Sequence, residues 1–134
     1  MSVVFADTAF YIAFANPKDR WHEVAAAIGN RWRGTVVTTE YVVVELGNHL
    51  CDPADRPVFL RMAAMIQHDE KTRVVPATSR LLQAGLTLFG NRLDKNWSLT
   101  DCISFAVMEA DGITEVLTCD RHFAQAGFRV LLTQ

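Results

Sequence analysis

Between Cys102 and Met108 the chain is apolar on nearly every side, through Cys102, Ile103, Phe105, Ala106, Val107 and Met108. A helix of that composition has no face to give to water, so it must be buried between layers of other structure. Ser98 stands where an N-cap would stand, and Asp101 follows three residues later. That is capping-box spacing, with Asp in the place of the more usual Glu or Gln. The first turn of the helix then opens into a cleft, and Asp101 is a carboxylate held near the helix's positive end.

The remaining segments supply the layers. Val3 to Ala6, Thr35 to Thr38, Thr72 to Pro76, Glu115 to Cys119 and Phe128 to Leu132 are short runs rich in β-branched residues and read as strands. Between them lie segments with apolar residues at helical spacing: 9–14, 20–32, 56–67, 78–89 and 123–126. The stretch from Thr39 to Leu50 is ambiguous, because Val42-Val43-Val44 favours a strand by propensity. An N-cap at Thr38 or Thr39 and an unbroken run of this length favour a helix, which is the reading adopted. Asn16 to Asp19, Asp52 to Asp55 and Arg92 to Asn96 are breaks, and Gly34, Gly90-Asn91, Gly112 and Gly127 are stops. Strands alternating with helices predict an α/β chain, a mostly parallel sheet covered on both faces, forming one domain over residues 1–134.

Composition excludes more than it selects. The net charge of −2 does not signal a nucleic-acid surface, although acids gathered at one site can mask a basic rim elsewhere. Cys51, Cys102 and Cys119 are odd in number and widely spaced, which argues against a disulfide framework or a zinc site and for reduced thiols in a cytoplasmic protein. No signal peptide is expected at the N-terminus, and no segment reaches the roughly 20 apolar residues needed to cross a bilayer.

Two strands end in a carboxylate, at Asp7 and Asp120. In a parallel sheet the strand C-termini converge on one edge, where ligands bind. Asp101 and Glu45 are carried by helices, Glu45 sharing a helix face with Asn48 and His49. Alone, each acid has a plainer role: a cap, a turn or a solvated surface group. Together, Asp7, Glu45, Asp101 and Asp120 suit a hard divalent cation such as magnesium, which takes oxygen ligands. Without a cation their mutual repulsion would raise their pKa values.

The stretches Val4-Phe5-Ala6-Asp7-Thr8, Glu45-Leu46-Gly47-Asn48, Ser98-Leu99-Thr100-Asp101-Cys102 and Thr118-Cys119-Asp120-Arg121-His122-Phe123 resemble, in order and spacing, the four acidic motifs of PIN-domain proteins. The likeness spans essentially the whole chain and is nearest to the small VapC-type toxins of type II toxin–antitoxin pairs. It implies a three-layer α/β/α PIN-like fold and an endoribonuclease that uses Mg2+ or Mn2+ to activate the water that hydrolyses an RNA phosphodiester. It also implies a homodimer and a cognate antitoxin that occludes the site. By the same resemblance Asp7 and Asp101 are the primary metal ligands, with Glu45 and Asp120 completing the pocket directly or through water. Thr8 is expected to bond a ligand carboxylate or the phosphate, Arg121 is a weaker candidate for contact with the substrate, and so is Ser104, against the plainer reading of a buried hydroxyl bonded to its own helix.

Other residues carry less. His22, His49, His68 and His122 have no zinc-site spacing, and His122, close after Asp120, is a candidate for substrate contact against the plainer reading of a surface histidine. Arg73, Arg80, Arg92, Lys95 and Arg121 are candidates for an RNA-facing rim, against the plainer reading of a solvated face. Trp21, Trp32 and Trp97 fit a core better than a base-stacking platform. The apolar faces of the helices at 20–33 and 54–67 are where a partner peptide would lie if the core leaves them uncovered. Two alternatives stand beside the nuclease: a receiver-like magnesium-binding phospho-switch, and a PIN-like scaffold without activity. The receiver lacks its acidic pair, since Thr8 and Ala9 follow Asp7. It also lacks its lysine, since Arg121 follows Asp120, and Val75-Pro76 offers no phospho-acceptor.

Overall fold

A computed structural model describes residues 2–134. Strands β1 (Val3–Ala6), β2 (Thr35–Thr39), β3 (Thr72–Val75), β4 (Glu115–Leu117) and β5 (Arg129–Val130) pair in the order β3-β2-β1-β4-β5, every pairing parallel. The middle strand β1 is sealed on both faces: Val4, Phe5 and Ala6 are all fully buried, as a short continuous apolar run requires. Phe5 sits opposite Val37 on one side and Val116 on the other.

The connections are helices: α1 (Thr8–Ala15), α2 (His22–Arg31), α3 (Glu40–His49), α4 (Arg56–His68), α5 (Ser79–Asn91), α6 (Leu99–Asp111) and α7 (Arg121–Gln125). From β1 through β2 to β3 the chain steps across the sheet in one direction, and from β4 to β5 it steps in the other. Right-handed crossovers then place α1 to α4 on one face and α5 to α7 on the opposite face. Most helix contacts follow that division, α1 touching α2, α3 and α4 while α6 touches α5 and α7, and α3 also meets α6 across it. Strand order reverses at β1, so a crevice opens beyond the C-terminal ends of β1 and β4. A receiver-type sheet instead puts its third strand beside the first. Here β3 lies at the far edge, beyond β2.

The apolar helix is α6, with Cys102, Ile103, Phe105, Val107 and Met108 buried. Phe105 meets Trp97 and Phe123 edge-on, at centroid distances of 5.0 and 4.8 Å. Trp97 is thus a core residue, its indole N–H donating to Gln125 Oε1, and Trp21 and Trp32 pack at the core's margin. Gly112 ends α6 in the left-handed region at φ +66°, which glycine enters without strain. The segment after β2 is a helix because Thr39 caps it, accepting the Val42 N–H at 3.0 Å, and because Val42 and Leu46 then share a buried face. That packing outweighs the strand propensity of its valines.

Several boundaries differ from the sequence reading. β4 stops at Leu117 and not at Cys119, because the Thr118 side chain turns to a carboxylate. α7 begins at Arg121, two residues early, because Asp120 caps it through the His122 N–H at 2.9 Å. α2 begins at His22 after a turn closed by Asp19, which accepts the Trp21 N–H at 2.8 Å. α5 runs past Gly90 to Asn91, and β5 is confined to Arg129–Val130. No helix among the described residues is long and apolar enough to cross a membrane.

α5 packs closely on α6 at Gly85. A Cβ there would overlap the Ile103 side chain and lie 3.3 Å from the Ile103 backbone. Backbone cannot yield as a side-chain tip can, so Gly85→Ala is expected to cost about 1–2 kcal/mol net, after the gain in helix propensity. A denaturation midpoint unchanged or raised by Gly85→Ala would show that the two helices separate freely.

Candidate active site

Asp7 leaves β1 in extended backbone and occupies the N-cap position of α1, yet its side chain makes no capping bond. Its N–H instead donates to Leu117 O at 3.2 Å, joining β1 to β4 where the crevice opens. The carboxylate is only 3% exposed. Oδ2 accepts from Thr118 Oγ1 at 3.1 Å, while buried Oδ1 has no hydrogen-bond partner among the described residues. Glu45 comes from α3, and its Oε1 accepts from Thr8 Oγ1 at 2.6 Å. Asp101 comes from the first turn of α6, where the capping box is complete. Its N–H donates to Ser98 Oγ at 3.0 Å, and its Oδ2 accepts the Ser98 N–H at 3.2 Å. Asp120 follows β4 and caps α7. His122, on the first turn of α7, places Nδ1 3.1 Å from Asp101 Oδ2 and 3.5 Å from Asp120 Oδ1.

These side chains line one open pocket of about 550 Å³. All four acids lie on its wall, with Thr8, Asn48, His49, Asn96, Ser98 and His122. Burial, the Asp101 charge and the Glu45 charge push the Asp7 carboxyl up to about 7, against the opposing hydrogen bonds from the Thr8 N–H and Thr118. Burial and the Asp120 charge likewise raise Asp101, against His122 and the Ser98 N–H. Among the described residues no lysine or arginine stands on the wall to neutralise the cluster. An orphaned buried carboxylate oxygen, two acids each raised by burial and by neighbouring carboxylates, and an oxygen-rich lining fit a divalent cation. Asp101, Asp120 and His122 each offer a ligand atom, the three atoms lying within 4.8 Å of one another.

Thr8 stands where the resemblance places it, on the pocket wall and bonded to a carboxylate. Ser104 does not reach the wall: it is fully buried within α6, and its Oγ has no hydrogen-bond partner among the described residues. Arg121 is exposed on α7 and is not among the lining residues. Arg73 is bound to Asp111 at 2.8 Å, at the end of α6 away from Asp101. Arg92 pairs with Asp94 at 3.0 Å and lies 4.9 Å from the Trp97 ring centroid, beside the loop that leads into α6. Two residues of the site carry weak sequence signals. Thr118, which orients Asp7, is a fully buried hydroxyl two residues before Asp120. His122 is marked only by its position two residues after Asp120, at a helix start that the apolar pattern does not reveal.

Similarity to known proteins agrees with this geometry. The 23S rRNA-specific endonuclease VapC20 of Mycobacterium tuberculosis is 29% identical over 129 residues, covering 94% of this chain and 95% of that protein. The crystal structure of M. tuberculosis VapC20, described as a Sarcin-Ricin loop cleaving toxin, superposes with a TM-score of 0.86 at 27% identity, covering 95% of this chain and 96% of that one. FitAcB from Neisseria gonorrhoeae shares the fold at a TM-score of 0.69 and 15% identity, covering 96% of each chain. VapBC2 from Rickettsia felis does so at 0.66 and 8%, again covering 96% of each. Residues 4–129 match the PIN domain family. With its parallel sheet and its acids gathered beyond β1 and β4, the chain belongs to the PIN domain family.

Proposed function

We propose that this chain is a metal-dependent endoribonuclease, the toxin of a toxin–antitoxin pair, and that its substrate is the sarcin–ricin loop of 23S rRNA. The observation that carries the reading is the convergence of Asp7, Glu45, Asp101 and Asp120 on one pocket wall, with Asp7 Oδ1 buried and unpartnered. Likeness to VapC20 over nearly the whole length of both chains supports the choice of RNA.

The protein's own part is to hold carboxylates in place before substrate arrives. Thr118 fixes one oxygen of Asp7 and leaves the other facing no donor. Thr8 fixes Glu45, and the Ser98 N–H fixes Asp101. A cation such as Mg2+ or Mn2+ held by Asp7 and Asp101, with Glu45 and Asp120 direct or through water, supplies Lewis acidity toward the phosphodiester and its attacking water.

A partner antitoxin and a homodimer belong to the same reading. Leu86 and Phe89 on α5 and Leu93 beyond it stay exposed at a three-to-four-residue spacing, which suits a self-association surface. Met65 stays exposed on α4 and lines an apolar cleft of about 210 Å³ with Phe10, Phe14 and Trp32, which suits a partner peptide. A sedimentation mass twice that of the chain, falling to the single-chain value in Leu86→Asp, is expected. A single-chain mass for the unmodified protein would remove the dimer.

The activity is tested with a synthetic sarcin–ricin loop RNA and a hairpin of scrambled loop sequence. Cleavage of the first alone, with Mg2+ or Mn2+ and not with chelator, is expected. Cleavage that survives chelation, or none with either ion, contradicts the reading.

A further inference from the structure

The nitrogen in the acid cluster is its least expected member. His122 projects from the first turn of α7 with Nδ1 within 3.5 Å of one oxygen from each of two carboxylates, Asp101 and Asp120. The backbone sets this geometry. Asp120 caps α7 by accepting the His122 N–H at 2.9 Å, which ties the histidine to the acid two residues before it. Nδ1 is therefore the ring nitrogen aimed at the acids, where a cation shared with them would meet it. Asp7, whose buried Oδ1 lacks any partner among the described residues, lines the same pocket and marks it independently as a place for a cation.

We infer that His122 Nδ1 is a direct ligand in this cation site, making it a mixed imidazole–carboxylate centre that selects Mn2+ or a later first-row ion over Mg2+. The inference rests on reading the pocket as a cation site. Magnesium binds through oxygen and gives up its waters reluctantly. Imidazole suits the transition ions instead. A nitrogen placed beside two carboxylates of this pocket therefore shifts preference without abolishing Mg2+ binding. A second histidine, His49, also lines the pocket and provides an internal control.

The test uses the full chain loaded with Mn2+ alone and read by pulsed electron paramagnetic resonance for coupling to an imidazole nitrogen. Calorimetric titrations with Mn2+ and with Mg2+ accompany it. The expected result is a nitrogen coupling present in the unmodified protein and in His49→Ala, and lost in His122→Ala. Mn2+ affinity should fall at least about tenfold in His122→Ala while Mg2+ affinity moves far less. His122→Gln, which restores a donor toward Asp101 but no imidazole, should restore neither the coupling nor the Mn2+ preference. Mn2+ binding with no nitrogen coupling, a coupling that persists in His122→Ala, or recovery by His122→Gln would each overturn the inference and leave the cation site standing. Failure of both ions to bind would overturn the inference and the cation site together.

Discussion

Asp101→Asn is expected to lower RNA cleavage by about 100-fold or more without unfolding the protein. Residues that merely orient a metal's ligands are worth about 10–100-fold in affinity or activity, and a direct carboxylate ligand is worth at least as much. The substitution is clean because Asp101 does two jobs that Asn separates. The remaining amide oxygen still accepts the Ser98 N–H, and the backbone N–H still donates to Ser98 Oγ, so the capping box survives. Only the charge is lost. That charge is one of the causes holding Asp7 high, so removing it relieves repulsion within the pocket. Cleavage rates on the loop RNA, compared with the thermal midpoints of both proteins, decide the matter. The account calls for a collapsed rate with an unchanged or higher midpoint. An undiminished rate would mean that Asp101 is only a helix cap.

In chelator, the protein should lose stability as pH rises from about 4 to about 7, by up to about 4 kcal/mol from Asp7 alone. The sign follows from where the proton sits. Folding moves the Asp7 carboxyl from 3.8 to about 7, so the folded state holds its proton where the unfolded state has released it. Below the lower value both states are protonated and nothing changes. Between the two values each pH unit costs about 1.4 kcal/mol, and above the upper value the loss levels off. Asp101, also raised by burial and by Asp120, adds in the same direction. Acids elsewhere on the surface titrate too, so the informative quantity is the difference between proteins. Asp7→Asn should remove most of the slope and be the more stable protein in chelator at pH 8, whereas a saturating divalent cation should restore the unmodified protein at that pH. Parallel stability curves for the two proteins would mean that Asp7 is not strained by its surroundings.

Most of the architecture can be read from apolar spacing, because each element's buried face leaves a period in the chain. β1, α6 and the amphipathic helices are of this kind, and so is the parallel sheet that their alternation implies. The pocket's four acids are legible for a related reason: the ends of parallel strands share an edge, so Asp7 and Asp120 fall together whatever their neighbours do. Polar bonds that replace regular structure are not legible. Thr118 leaves β4 to bind Asp7, Asp120 starts α7 ahead of its first core residue, and Asp19 shortens α2, none of which disturbs the apolar pattern. Ser104 is buried, as its plainer reading had it, though without a bond to its own helix. Its three-residue spacing from Asp101 places it on a neighbouring line of α6, yet the helix turns it into the interior and not toward the pocket.

Everything functional here depends on the pocket beyond β1 and β4 being the place where a divalent cation sits. Anomalous X-ray scattering from crystals soaked in Mn2+ addresses this directly, since the ion reports its own position. The account requires the strongest peak to lie in contact with the carboxylates of Asp7 and Asp101, and to vanish in Asp7→Asn. A bound Mn2+ located elsewhere, with no density between those two side chains, would contradict it.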